Sequence, residues 1–455
     1  MSAEDDAKVD LKINASPTKE FFIDILVRDI KLADAIADLV DNCVDGARRL
    51  RPDGNYQGLT IDVEFDATHF LITDNCGGIS VDTARIYAFR FGRAKGDPAT
   101  ESSIGQFGVG MKRSLFKMGE HFTVESVDPD ASFLVDVDVP DWKTKMLPDG
   151  REDWEFEFKK LTYASHSIDQ CSTIIEVTRL RPTVADEFSS KVFESQLLDV
   201  IQSAHEQSIH SGLHIAINNH EIKHRLSTLI ASEAIRPLKI KEEYKVADPD
   251  DKTKEVTVSV TVYAGVSESN QAEAGWYVVC NGRQVLRADK SKTTGWDDVV
   301  NDEKLPKAHN QFSRFRGFVF FESKKAAVLP WNTMKNAVDP ESSVFQAAKM
   351  QMGTAMRQVI DFLNKVDAET DADATPLTNS IKAGAPQALS LIAASSTFVY
   401  PQRTAAPHQP PKDLRITTFS RPVEQVEFAR KHFGVTASKA VGEKTFDYFI
   451  EREMV

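Results

Sequence analysis

Three short blocks hold residue types that could do chemistry together: "DLVDNCVDGA" from Asp38, "ITDNCGGIS" from Ile72 and "GQFGVGMK" from Gly105. In the first, Asp38 and Asn42 stand one helical turn apart, so an amide oxygen can take magnesium while the carboxylate orients a water toward a phosphate. In the second, Asp74 can accept a hydrogen bond from an adenine amine, and Gly77 and Gly78 let the backbone run close to a flat ring. In the third, Gly105, Gly108 and Gly110 precede "MKRSLFKMG". Backbone amides at such a helix start point at an anion, and Lys112 adds a cation. Taken singly, the first two blocks have plainer explanations, a solvated helix face and an Asp-Gly turn. Metal ligand, base reader and phosphate cradle together predict an ATP site.

Spacing also predicts the elements that must position these groups. Leu32, Ile36, Leu39, Val40 and Cys43 recur at three- and four-residue intervals, the apolar side of a helix. Asp34, Asp38, Asp41, Asn42 and Asp45 fall on the opposite side. A solvated face usually mixes signs to gain pairs one turn apart, whereas this stripe of carboxylates and an amide gains from a cation. "LTIDVEF" and "HFLITD", joined by "DATH", alternate as a hairpin that ends at Asp74. The third block reads as a helix stopped by Gly119. Two other phosphate motifs fail: Met111 separates Gly110 from Lys112 and breaks G-x-x-x-x-G-K-[ST], and the G-x-G-x-x-G spacing is absent.

In this order and spacing the blocks resemble the GHKL ATPases, the group of gyrase B, the heat-shock chaperone ATPases, histidine kinases and MutL, and most closely the MORC-like or MutL-like members. The resemblance implies Asp38 as the water-activating acid, Asn42 as the magnesium ligand and Asp74 as the adenine reader. It places Gly105, Gly108 and Gly110 at the closing lid with Lys112 after them, and Asp45, Gly78, Ile79, Gln106, Phe107 and Val109 against the nucleotide. A Gly-Thr pair that opens a strand beside the base is matched by Ser172-Thr173, so Thr173 carries over while Ser172 replaces the glycine. Asp38 stands where the family usually has Glu, one methylene longer, which predicts slow hydrolysis. Cys76 stands where the adenine loop generally has its first glycine.

The polar segment "GRAKGDPATESSI" from Gly92 reads as the lid, about residues 92–108. Arg93 and Lys95 within it could approach phosphates but are read as solubilising charges. "HFTVESV", "SFLVDVDV", "EDWEFEFKKL" and "STIIEVTRL" then alternate as strands of one sheet covered by the earlier helices. The expected fold is α+β: a Bergerat-type α/β sandwich over residues 1–186, then an α/β transducer-like domain over 187–366. In that second part "EFSSKVFESQLLDVIQSAHEQSIHSG" reads as a helix before the strand "LHIAINNHEI", and "CNGRQVLRADK" is similar to a MORC and MutL strand. "VLPWNTMKNAVDPES" resembles the loop that presents a lysine to the terminal phosphate, which makes Lys335 the transducer lysine; the alternative is a surface lysine. Residues 367–413, rich in Ala, Thr and Pro, read as a linker, and 414–455 as a small helical segment with Phe446, Phe449 and Ile450 on one face. Histidine kinases share only the first domain, and no phospho-accepting histidine helix precedes it.

At 455 residues, 41% hydrophobic and 27% charged, the chain has the composition of a globular protein of two large domains and an appendage. The acidic start "MSAEDDAKVD" does not read as a signal peptide, and no apolar run is long enough to span a bilayer, so no membrane partner and a cytoplasmic location are expected. Four widely spaced cysteines form no metal motif or disulfide framework. A net charge of −13 gives no overall bias toward nucleic acid; "RQVLRADKSK" and "RFR", the richest basic stretches of the second part, read as solvated strand ends. The expected function is a slow ATPase whose ATP-driven homodimer clamp acts on DNA or a protein effector. The alternatives are a nucleotide-sensing interaction module with little turnover and a chaperone-like ATPase.

Overall fold

The computed structural model describes residues 15–92, 101–105, 108–369, 376–401 and 420–454. Gln106 and Phe107, with Arg93, Lys95 and most of the expected lid, lie outside the described residues. Residues up to Pro401 form one compact unit and Gln402–Val455 another.

Helix α1 (Lys19–Arg28) leads into α2 (Leu32–Leu50), which buries Ile36, Leu39, Val40 and Val44, as three- and four-residue spacing demands. Alternation makes β1 (Thr60–Phe65) and β2 (His69–Asp74), a hairpin whose Ile61, Val63, Phe70 and Ile72 turn inward. Short helix α3 (Val81–Thr83) runs into a π-helical turn ending at Ala88. Helix α4 (Gly110–Met118) then packs on α2. The chain continues through β3 (Gly119–Val127), β4 (Ala131–Asp138), α5 (Val139–Thr144), β5 (Phe158–Tyr163) and β6 (Ser172–Leu180). The predicted strand "EDWEFEFKKL" thus starts late, because Trp154 and Phe156 turn into an aromatic cluster with Phe91 and Trp142.

Next come α6 (Pro182–Phe188), α7 (Lys191–Ala204), α8 (Glu206–His210), β7 (His214–Ile217) and β8 (His220–Glu221). The expected single helix is therefore broken, and "LHIAINNHEI" folds back as a hairpin through Asn218 and Asn219, both at positive φ. The first sheet has the order β5-β4-β3-β6-β2-β1-β7-β8, antiparallel except for β1 beside β7. It thus continues past the boundary expected near Glu187, since β7 pairs with β1.

A second sheet follows. After β9 (Thr228–Ala231) come β10 (Leu238–Ala247), β11 (Glu255–Val266), β12 (Gly275–Cys280), β13 (Arg283–Asp289), the short pair β14 (Val299–Val300) and β15 (Glu303–Lys304), and β16 (Phe315–Glu322). Its order is β10-β11-β16-β12-β13, with β12 and β16 parallel. The long helix α9 (Ser343–Asp367) lies against β11 and β16 and buries Phe345, Met352, Met356 and Phe362. The reading of 367–413 as a linker is corrected for its middle part. Here α10 (Pro376–Ala383) and β17 (Ala385–Ala388), which pairs with β9, bury Leu377 and Ile381, and Leu389, Ile392 and Phe398 are buried after them. Enough apolar residues fall on one side to dock the segment.

In the second unit, α11 (Val423–Phe433) stops at Gly434, whose φ of +67° suits only glycine well, and α12 (Ser438–Glu453) follows. Phe428, Phe446 and Phe449 are exposed. Among the described residues no helix is long and apolar enough to cross a membrane.

Candidate functional site

The site is built around α2, because that helix carries polar residues along the side its apolar face leaves free. A cavity of about 610 Å³ runs beside it. Asp38, Asn42, Asp45, Asp74, Gly78, Ile79, Gly105, Gly108, Val109, Gly110, Lys112, Thr173 and Lys335 all line it. The described members of the sequence-derived set thus meet in one place.

At one end, strand geometry sets the cavity wall. Asp74 closes β2, and antiparallel register places it directly opposite Thr173 of β6. Its Oδ1 accepts the Cys76 amide at 2.8 Å, and burial raises its pKa above the ordinary carboxylate value. Cys76 is itself buried, with its carbonyl against Gly46: a Cβ on Gly46 would come within 2.8 Å of that oxygen. Gly78 has φ +71°, and a Cβ there would lie 2.1 Å from the Val127 carbonyl oxygen. No other residue fits between these two backbones. The Ile79 amide donates to Ser126 Oγ at 2.7 Å, which fixes the loop on β3.

The other end is crowded with charge. Arg113 donates from Nη2 to Asp38 Oδ2 at 2.5 Å, and Lys335 Nζ donates to Asp38 Oδ1 at 3.2 Å. Lys335 also donates to Asp41 Oδ2 at 2.7 Å. The other oxygen of Asp41 lies 2.9 Å from Arg283 Nε and 3.2 Å from His205 Nε2, electrostatic contacts without an aligned hydrogen bond. Burial pushes the Asp41 pKa up, but Arg283, Lys335 and His205 outweigh it and hold the carboxyl far below its usual range. Burial likewise opposes the charge on Lys335, yet Asp41 and Asp38 raise its pKa. Burial lowers the pKa of His205.

One turn on, Asp45 accepts the amides of Ile104 and Gly105 at 2.7 and 2.6 Å, so it holds the chain just before the glycine block. Arg48 donates to the carbonyls of Ser102 and, at 2.5 Å, Asn281 in the turn between β12 and β13. Asn336 donates to Asp34 at 3.0 Å. Residues 34, 38, 41, 45 and 48 thus form one stripe. Apart from Asp45, each meets a residue from beyond the first sheet. Asn42 lies beside this stripe and stays exposed to the cavity.

Three expectations change. The cation that the carboxylate stripe needs is supplied by the chain itself, through Lys335, Arg283 and Arg113. Lys112, expected to face an anion, directs its ammonium at the carbonyls of Ala88 and Gly108; Arg113, about 100° further round the helix, meets Asp38 instead. The basic stretches read as solvated strand ends also change, since Arg283 and Arg316 are buried. Asp41, His205, Arg113 and Arg283 were not singled out as site residues. Asp41 had a signal, its place three residues after Asp38, and Arg283 had one in the likeness of "CNGRQVLRADK" to a MORC and MutL strand; His205 had none in local sequence.

A magnesium ion fits this donor set. The carboxylates of α2 are engaged by protein partners, no cluster of three His, Cys, Asp or Glu ligands occurs among the described residues, and Asn42 is left as the open oxygen donor. Magnesium bound through one protein ligand, phosphates and water is a common arrangement. The cavity volume also suits a nucleotide.

Residues 30–172 match the family model for histidine kinase-, DNA gyrase B-, and HSP90-like ATPases. Over that stretch the chain resembles GHKL-type ATPase domains, a likeness that points to ATP binding. No curated protein matches the chain.

Proposed function

We propose that the chain binds ATP with magnesium in this cavity and works as a slowly hydrolysing, ATP-driven switch of MutL-like or MORC-like type. The observation that carries this reading is Lys335. A loop 297 residues beyond Asp38 brings its ammonium to 3.2 Å from that carboxylate, inside the cavity that also holds Asn42, Asp74 and Gly110. A phosphate bound at the start of α4 would meet both the first sheet's groups and a cation from beyond the second sheet. Differential affinity for two arrangements of these parts is what a switch requires.

In this reading Asp74 and Thr173 take the adenine, Gly78 admits the ring, and the amides after Gly108 take the phosphates. Asn42 would hold magnesium, which offsets phosphate charge and aligns the terminal group. Asp38 accepts a proton from the attacking water, and its short side chain makes that step slow. The second sheet with α9 and the Lys335 loop is read as a transducer running from Thr228 to Pro401. By resemblance the closed form is a homodimer clamp in a DNA-linked process such as repair, compaction or defence against foreign DNA. Sizing in solution with and without a nonhydrolysable ATP analogue tests this reading. A rise to twice the mass is expected, and an unchanged mass well above the nucleotide Kd removes the clamp.

One observation favours a second reading, a nucleotide-sensing module with little turnover: both oxygens of Asp38 are engaged by protein cations. Function lost equally in Asn42→Ala and Asp38→Ala supports turnover. Loss only in Asn42→Ala supports sensing.

A further inference from the structure

The guanidinium of Arg113 sits where the phosphate end of the cavity meets the acid expected to activate water, and no motif assigned it a task. It is 7% exposed and lines the cavity. One Nη holds Asp38 at 2.5 Å, while its Nε has no hydrogen-bond partner among the described residues. It belongs to the first turn and a half of α4, whose opening glycine is close to the same carboxylate: a Cβ on Gly110 would lie 3.3 Å from Asp38 Oδ2. An anion at that helix start therefore lies beside the Arg113–Asp38 pair. Lys112, the residue that sequence nominates for this work, is turned to the carbonyls of Ala88 and Gly108.

Resting on the nucleotide reading above, we propose that Arg113 distinguishes a nucleoside triphosphate from a diphosphate. Asp38 is the anion on which Arg113 and Lys335 converge. A terminal phosphate is the stronger competitor, because it carries more charge and offers several oxygens to the planar donor fork of arginine. Arg113 passes from Asp38 to the terminal phosphate, and the released Asp38 oxygen turns to the water. A diphosphate does not reach the fork, so Asp38 stays paired. Recognition of the third phosphate and freeing of one oxygen of the acid are then one event at Arg113, beside Lys335 on the other oxygen.

The test is calorimetry of the full chain with magnesium and either ADP or a nonhydrolysable ATP analogue. Arg113→Gln should weaken the analogue by roughly ten- to a hundredfold, the range for a charge-assisted hydrogen bond, and ADP by less than about threefold. Equal weakening of both ligands, or of neither, overturns the proposal. Should that variant fail to unfold cooperatively, Asp38→Asn/Arg113→Gln, which removes the pair together, and Arg113→Lys, which keeps the charge but loses the fork, take its place. Each must narrow the ratio of the two affinities, and an unchanged ratio overturns the proposal. If the unaltered chain binds neither ligand, the nucleotide reading itself has failed; if it binds both and the variants do not separate them, only the role of Arg113 has.

Discussion

The buried charge cluster predicts an order of stabilities opposite to the one that functional importance suggests. Two carboxylates, Asp38 and Asp41, face three cations, Arg113, Lys335 and Arg283. Lys335→Met removes one cation and leaves each carboxylate with an arginine, at 2.5 Å and 2.9 Å. Two hydrogen bonds to charged groups are lost, about 1.5–3 kcal/mol each, but the several kcal/mol of desolvation that a buried ammonium costs is recovered. The net cost should be no more than about 2 kcal/mol. Asp41→Asn leaves Arg283 with no acidic partner and Lys335 with Asp38 alone, at 3.2 Å. Uncompensated buried charge typically costs about 3–5 kcal/mol. Urea unfolding, read from midpoint and slope together, gives both values. If Lys335→Met destabilises as much as Asp41→Asn, the cluster is not balanced by its arginines and the reasoning fails. The same pair also separates stability from function, because Lys335→Met should lose its response to the terminal phosphate while remaining folded.

Three further outcomes are expected. Gly78→Ala should cost at least ~3 kcal/mol, since its Cβ meets the Val127 carbonyl at 2.1 Å in a left-handed backbone; a melting temperature near that of the unaltered chain would show that the loop can part from β3. Asn42→Ala should melt like the unaltered chain, because Asn42 is exposed, while magnesium-dependent nucleotide affinity falls; an equal fall without magnesium would count against a metal ligand. Adenine-nucleotide affinity should decline with falling pH while the pH is still above 3.8. Burial raises the Asp74 pKa, and only the ionised carboxylate accepts the adenine amine without competition; titration of affinity downward from neutral pH should show a slope that Asp74→Asn lacks.

What was legible in sequence was whatever local periodicity determines. The spacing of Leu32, Ile36, Leu39 and Val40 identified the buried face of α2, and alternation up to Asp74 identified the strand end that places it opposite Thr173. Pairings across long stretches of chain were not legible, because no local property distinguishes them. Strand β7 joins the first sheet by lying parallel to β1, about 150 residues earlier, and Asp41 meets a lysine 294 residues away. Helical phase marks a second limit. Lys112 and Arg113 differ by one step of the helix, and that step decides which of them reaches Asp38. Asp41 and Asn42 differ in the same way: one is sealed among cations, the other faces the cavity. The carboxylate stripe did require cations, as its composition implied, but a stripe reports only that a need exists. Lys335 and Arg283, from beyond the first sheet, meet Asp38 and Asp41, so α2 is at once the floor of the cavity and the surface to which the rest of the first unit is fastened. A ligand that changes the charge at Asp38 therefore acts on that fastening directly.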